Sequence, residues 1–244
     1  MNYQVTIRDL SLAPHPRHAI FFALFAPVVY AFFVFGLAGM FIPGVADAAR
    51  GESANFVDIS WRMQVVLQFV IFAHITLFAD RIGAGPFSGR MQAEANWVIA
   101  AIILGPLLYN LCIAASFYLL AGGEENWVLR DEEYREILGP DAVGPMLFFS
   151  VVILAPLVEE VSLRGVALGC MLGRGIPVLI AVVLQAAAFT ALHFQYTPAA
   201  LVPVFILGVF LGWLRLASKS MLVPVAAHVA INLQAYFALA ASVE

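Results

Sequence analysis

The chain is short of charge. Lys, Arg, Asp and Glu make up 11% of its 244 residues, whereas 63% are hydrophobic; an ordinary soluble domain carries about 25% charged residues. A soluble fold of this size could not cover so much apolar surface, which excludes water as the main solvent. Cysteine is scarce as well: Cys112 and Cys170 both lie in apolar segments, without paired or metal-type spacing. Each reads as a small buried hydrophobe, and neither reports on redox compartment. No excess of positive charge is present, the formal net charge being −4, so nucleic acid is not an expected partner. Internal repeats, low-complexity tracts and an appended soluble domain are also lacking, which leaves one membrane domain as the simplest description.

Long apolar runs are what the chain does have. Runs of about 20 apolar residues, the length that crosses a bilayer as a helix, occur near 18–42, 62–79, 96–120, 145–172, 176–194, 199–216 and 221–241. Backbone polar groups in lipid must be satisfied within their own segment, and nothing alternates with period two as barrel strands would. The expected fold is therefore all-α, a polytopic transmembrane bundle of about seven spans. It divides into amino-terminal helices with an acidic connection, 1–144, and a carboxy-terminal part of the same membrane domain, 145–244. The first run is too long for the apolar core of a signal peptide and reads as a retained helix.

Counting positive charge at the span ends places the amino terminus in the cytoplasm. Arg8, Arg17, Arg81, Arg90, Arg174, Arg215 and Lys219 then lie inside, and Arg50, Arg62, Arg130 and Arg135 outside. The acidic connection at 122–144 faces outward in this map, either as a solvated loop or as a short amphipathic surface helix.

Against this apolar background, Glu159, Glu160 and Arg164 stand inside a run that otherwise reads as membrane-spanning. Each such charge costs about 2.5 to 3.5 kcal/mol at a helix centre on insertion scales, so three within six residues mark a functional site. Two further apolar runs contribute His193, four residues after Phe189, and His228 followed four residues on by Asn232. Residues four apart share a helical face, so three helices offer polar groups to one interior.

Each group has a plainer reading. Glu160 and Arg164 alone could be an intrahelical ion pair that lets the helix insert, but that leaves Glu159 unexplained. A lone buried histidine is usually a packing residue, which is the reading given to His74. His193 and His228 differ because they coincide with a carboxylate pair and an amide. Gly208 and Gly212 form a small-residue face that implies close helix packing and no chemistry.

The ordered set Glu159-Glu160-Val161-Ser162-Leu163-Arg164-Gly165, Phe189-x-x-x-His193, Gly208-x-x-x-Gly212 and His228-x-x-x-Asn232 resembles the signature of the CAAX protease and bacteriocin-processing family of intramembrane endopeptidases. The likeness covers roughly 145–232, and the first three runs match no signature. Leu163 stands where that family usually has Phe, and Ser218-Lys219-Ser220-Met221-Leu222-Val223-Pro224 replaces its common approach to the last histidine. No polar catalytic group is lost by either departure.

The resemblance implies peptide hydrolysis, with Glu159 as base, His193 holding the water, and His228 with Asn232 donating to the oxyanion. The four-residue spacing independently pairs Arg164 with Glu160 and leaves Glu159 free. Glu159, His193 and His228 could also make a three-ligand zinc site, although no His-Glu-x-x-His occurs; the expectation is no metal, with zinc left open. A paired-aspartate enzyme is excluded because Asp47, Asp58, Asp80, Asp131 and Asp141 all fall outside the runs or at their ends. A Gly-x-Ser-Gly serine enzyme fares no better, since Pro86-Phe87-Ser88-Gly89 lies in a polar connection. The alternatives are an ion- or proton-coupled transporter or channel using the same polar groups, and a non-catalytic immunity or interaction protein. Expected partners are the lipid bilayer and a peptide or protein substrate, and the expected location is a bacterial inner membrane; substrate identity and oligomeric state stay open.

One tension accompanies the seven-span map. Drawn as full crossings, the runs put Glu159 at mid-depth, His193 near one surface and His228 nearer the other. A helix restarting at Pro156 would offer one way to bring them together, with both glutamates near its positive end.

Overall fold

The computed structural model describes residues 56–81, 93–123, 128, 129 and 143–241. The expected span at 18–42 and most of the acidic connection lie outside them. The described residues are helical apart from turns and one antiparallel bridge between Leu129 and Tyr196. Among the described residues there are six helices: α1 Phe56–Arg81, α2 Ala95–Leu119, α3 Pro145–Gly173, α4 Val178–Ala191, α5 Pro198–Ser218 and α6 Leu222–Ala241.

Local chemistry explains the boundaries. Pro145 opens α3 directly after Gly144, in the first turn where a missing N–H costs nothing. Gly175, at φ +74°, makes the reversal from α3 into α4, a conformation that glycine adopts without strain. Thr197 caps α5 by accepting from the Ala200 N–H, with Pro198 behind it.

The all-helical expectation is met, but the count of seven crossings is not established. Four described helices, α2, α3, α5 and α6, are long and apolar enough to span a membrane. Helix α4 has 14 residues, a rise of about 21 Å against a hydrocarbon core of about 30 Å. The expected run at 176–194 was longer because it took in Leu192 and Phe194, apolar residues that belong to the turn after α4. In α1 the apolar stretch is only Trp61–Ile75.

Helix α3 occupies the middle, packed against α1, α4, α5 and α6. One apolar cluster joins Leu67, Ile71 and Ile75 of α1 to Val158, Val161 and Met171 of α3 and Val182 of α4. A second joins Leu163 and Phe189 to Leu207 and Leu211 of α5 and Ala227 and Ile231 of α6. Helix α2 instead turns Ile99, Ile103, Leu107 and Leu111 outward, all more than half exposed. A face of that kind is stable against lipid and not against water. The protein is an integral membrane protein.

Helix α3 also departs from regular geometry. Phe148–Leu154 and Glu160–Ala167 are wound as π-helix, with Ala155–Glu159 in α form between them. Such stretches are rare and concentrate at functional sites. The chain stays helical from Pro145 to Gly173, so α3 does not restart at Pro156 and both glutamates sit deep within it.

Candidate active site

The second π-wound stretch of α3 carries Glu160 and Arg164. Their pairing survives the wider turn: Arg164 Nη1 donates to Glu160 Oε1 at 2.9 Å, with both side chains sealed from solvent. Two buried charges in an apolar bundle are tolerable only when paired and hydrogen-bonded, and Arg164 has two further contacts. Its Nη2 donates to the Gly208 carbonyl on α5 at 3.1 Å, and its guanidinium lies 4.7 Å from the centre of the Phe189 ring on α4. One arginine thus ties α3 to α4 and α5.

Helix α6 completes the cluster. His228, itself buried, directs Nδ1 to the same Glu160 Oε1 at 2.9 Å and Nε2 towards Glu159 Oε2 at 3.8 Å. The adjacent glutamates therefore differ sharply. Glu160 is closed in by a guanidinium and an imidazole, while the Glu159 side chain keeps 17% of its surface open. Glu159 is the carboxylate that water and a ligand can reach.

His193 follows α4 in the turn that leads to α5. Its Nδ1 lies 2.8 Å from the Phe189 carbonyl oxygen; a carbonyl only accepts, so Nδ1 carries the proton and Nε2 presents a lone pair. The rings of His193 and His228 flank Phe189, at 4.8 and 5.6 Å between centroids. Through Phe189, which contacts both rings, His193 and His228 belong to one cluster.

Asn232 ties α6 to α3. Its Nδ2 donates to the backbone carbonyl of Val151 at 2.8 Å. Among the described residues no group of three His, Cys, Asp or Glu side chains is arranged to hold a metal ion. Cys112 is only half-buried, Cys170 is buried, and His74 lies on an exposed side of α1.

Two participants escaped the sequence reading. Gln185 is fully buried on α4 and its Nε2 donates to the carbonyls of Val182 and Gly208, both at 2.9 Å. It shares the Gly208 acceptor with Arg164. A sign was present, since Gln185, Phe189 and His193 recur every four residues on one face. Tyr196 is the other: its ring lies 5.6 Å from that of His193, and burial, reinforced by the Glu159 carboxylate, pushes its phenol above the usual value. Because a like charge opposes its ionisation, the phenol is held neutral beside Glu159. The Leu129 bridge, with Thr197 N donating to Val128 O at 2.9 Å, anchors this turn.

Neither a curated protein nor a solved structure matches the chain. A family model does, over a stretch that contains all six polar residues of the site and the glycine pair. Residues 142–234 match the family described as type II CAAX prenyl endopeptidase Rce1-like, the same stretch whose motifs resemble the CAAX protease and bacteriocin-processing family.

Proposed function

We propose that the chain is an intramembrane endopeptidase that cleaves membrane-associated peptides or proteins with water activated by Glu159. The observation that carries this reading is the contrast within the glutamate pair, one closed in by Arg164 and His228 and the other partly open beside an imidazole. Glu159 takes a proton from water, whose oxygen attacks the scissile carbonyl carbon. His193 Nε2, bare because Nδ1 is occupied, accepts from the same water and orients it. His228, with a proton on Nε2, donates to the oxyanion while Glu160 holds its other nitrogen. The carbon–nitrogen bond then breaks, the proton on Glu159 passes to the leaving amine, and a carboxylate and an amine are released.

The reading uses no metal: Glu159 itself is the base that activates the water. Glu159, His193 and His228 are the side chains that zinc would have to draw together. Elemental analysis of the active protein, with chelator inhibition beside it, decides the point: stoichiometric zinc and chelator-sensitive turnover would replace Glu159-activated water with metal-activated water. The substrate class follows from the setting, a peptide anchored in or at the bilayer, in a bacterial inner membrane with the amino terminus cytoplasmic.

The test starts with an inert Glu159→Ala variant, used to identify what accumulates uncleaved in its presence. Glu159→Gln should then lower hydrolysis of that peptide about 100- to 10,000-fold without loss of folded protein. Wild-type cleavage by Glu159→Gln would remove the proposal, and Glu159-dependent ion flux in proteoliposomes without cleavage would favour transport instead.

A further inference from the structure

The first π-wound stretch of α3 has an interruption written into its sequence. In this register a carbonyl accepts from the N–H five residues on, as Ser150 O does from Ala155 N–H. The next rung would join Val151 O to the nitrogen of Pro156, which has no hydrogen to give. The helix returns to α form over Ala155–Glu159, and the Val151 carbonyl is left without its rung. Inside an apolar bundle such a group is costly unless something else donates to it. Asn232 does, from α6, at 2.8 Å. The acceptor is a carbonyl, so the amide must face it with Nδ2.

The consequence extends to the carboxylates. His228 stands one turn before Asn232 on the same face of α6 and reaches Glu160 at 2.9 Å. Helix α6 is thereby pinned to α3 at two points that straddle Pro156, one at Val151 and one at Glu160. Loss of the first would leave α6 free to slide along α3, and the 3.8 Å approach of His228 Nε2 to Glu159 depends on its not doing so.

We propose that Asn232 is a positioning residue: it replaces the hydrogen bond that Pro156 cannot make, and so locks the register of α3 and the placement of His228. The lock stands on the fold alone, while its effect on hydrolysis rests on the function proposed above. This differs from the oxyanion role that the family resemblance implies for the same side chain.

The test is a cycle of Asn232→Leu, Pro156→Ala and the double variant in the full-length protein in detergent, read by thermal unfolding and by hydrogen exchange across 148–159. Asn232→Leu should lower Tm by about 5 °C and speed exchange in that stretch. Pro156→Ala restores an N–H at the vacant rung, so in its presence the same substitution should lose most of its effect. Equal losses in the two backgrounds, or an unchanged Tm in Asn232→Leu, would overturn the lock. Should Asn232→Leu not fold, Asn232→Asp, of the same shape but with an acceptor in place of the donor, repeats the cycle. Hydrolysis of the peptide trapped by Glu159→Ala is read alongside. Recovery of both Tm and kcat in the double variant supports positioning; recovery of Tm alone would overturn the positioning role and return Asn232 to the oxyanion.

Discussion

Helices α2 and α3 are similar in length and apolar character, yet α3 has 56% of its apolar window buried within the bundle and α2 only 11%. Hydropathy puts both in a membrane and is silent about which faces protein. Lipid is as apolar as leucine, so burying one more aliphatic side chain between helices gains little, and association falls to close packing and polar contacts. Helix α3 has those contacts in Ser150, which donates to Gln68 on α1 at 2.9 Å, and in Glu160 and Arg164. Helix α2 has small residues at its buried positions, Ala101, Gly105 and Ser116, keeps one exposed polar contact, from Gln234 Nε2 of α6 to Asn110 Oδ1 at 2.8 Å, and leaves its isoleucines and leucines to lipid.

The sharpest way to break this comparison is to remove a charge from α3. Arg164→Met should cost about 3 to 5 kcal/mol, because it strands Glu160 in the interior without its ion pair. Replacing both partners, Glu160→Leu with Arg164→Met, should recover much of that stability, since an apolar pair of similar volume tolerates the site, yet should not restore hydrolysis, since His228 then has no acceptor at Nδ1. On α2, Ile103→Ala should stay within about 0.5 kcal/mol of wild type, as an outward-facing substitution does. Unfolding in one detergent across the four proteins checks all three expectations. An Arg164→Met variant as stable as wild type would mean that the ion pair does not hold α3 in place.

What the sequence revealed was what depends on side-chain identity and spacing. Glu160 and Arg164 four apart announced their bond, and Phe189 four before His193 announced a shared face. Register was not legible. A π-wound turn leaves no periodic signature over seven or eight residues, and here it shows only through its end, where Pro156 withholds an N–H and Asn232 supplies one. That partner is a backbone carbonyl, so no side-chain pattern could have named Val151. The length of α4 was misjudged for a related reason: apolar Leu192 and Phe194 extend the run past the last helical residue, and composition cannot tell a turn buried in a membrane from a helix within it.

A finer test of the same comparison uses one substitution, Gly→Ala, in different places. At Gly208 on α5 a Cβ would lie 3.0 Å from both Cα and Cβ of Ala186 and 3.2 Å from the Phe189 ring, so the α4 backbone itself would have to move. We expect a loss of about 1 to 3 kcal/mol, with Arg164 losing alignment on the Gly208 carbonyl. At Gly212 the Cβ would meet Gln185 Nε2 at 2.6 Å. Only a side-chain end must yield there, but it is the amide that shares Gly208 O with Arg164. The cost should be smaller than at Gly208, with a loss of hydrolysis larger than the change in stability would suggest. The glycine pair that read as packing alone therefore has a second duty, making room for a buried amide.

Gly105 on α2 is the counter-case. A Cβ there would touch Ala227 Cβ and Ile231 Cδ1 at 3.4 Å, an ordinary contact distance. Nothing polar is displaced, and alanine relieves a helix-interior glycine that costs roughly 1 kcal/mol. Gly105→Ala should therefore leave Tm unchanged or raise it by a few degrees, the opposite sign from Gly208→Ala in the same bundle. If both glycines proved equally intolerant, the α2–α6 contact would leave as little room at its glycine as the one between α4 and α5, and the contrast between the two glycines would not hold.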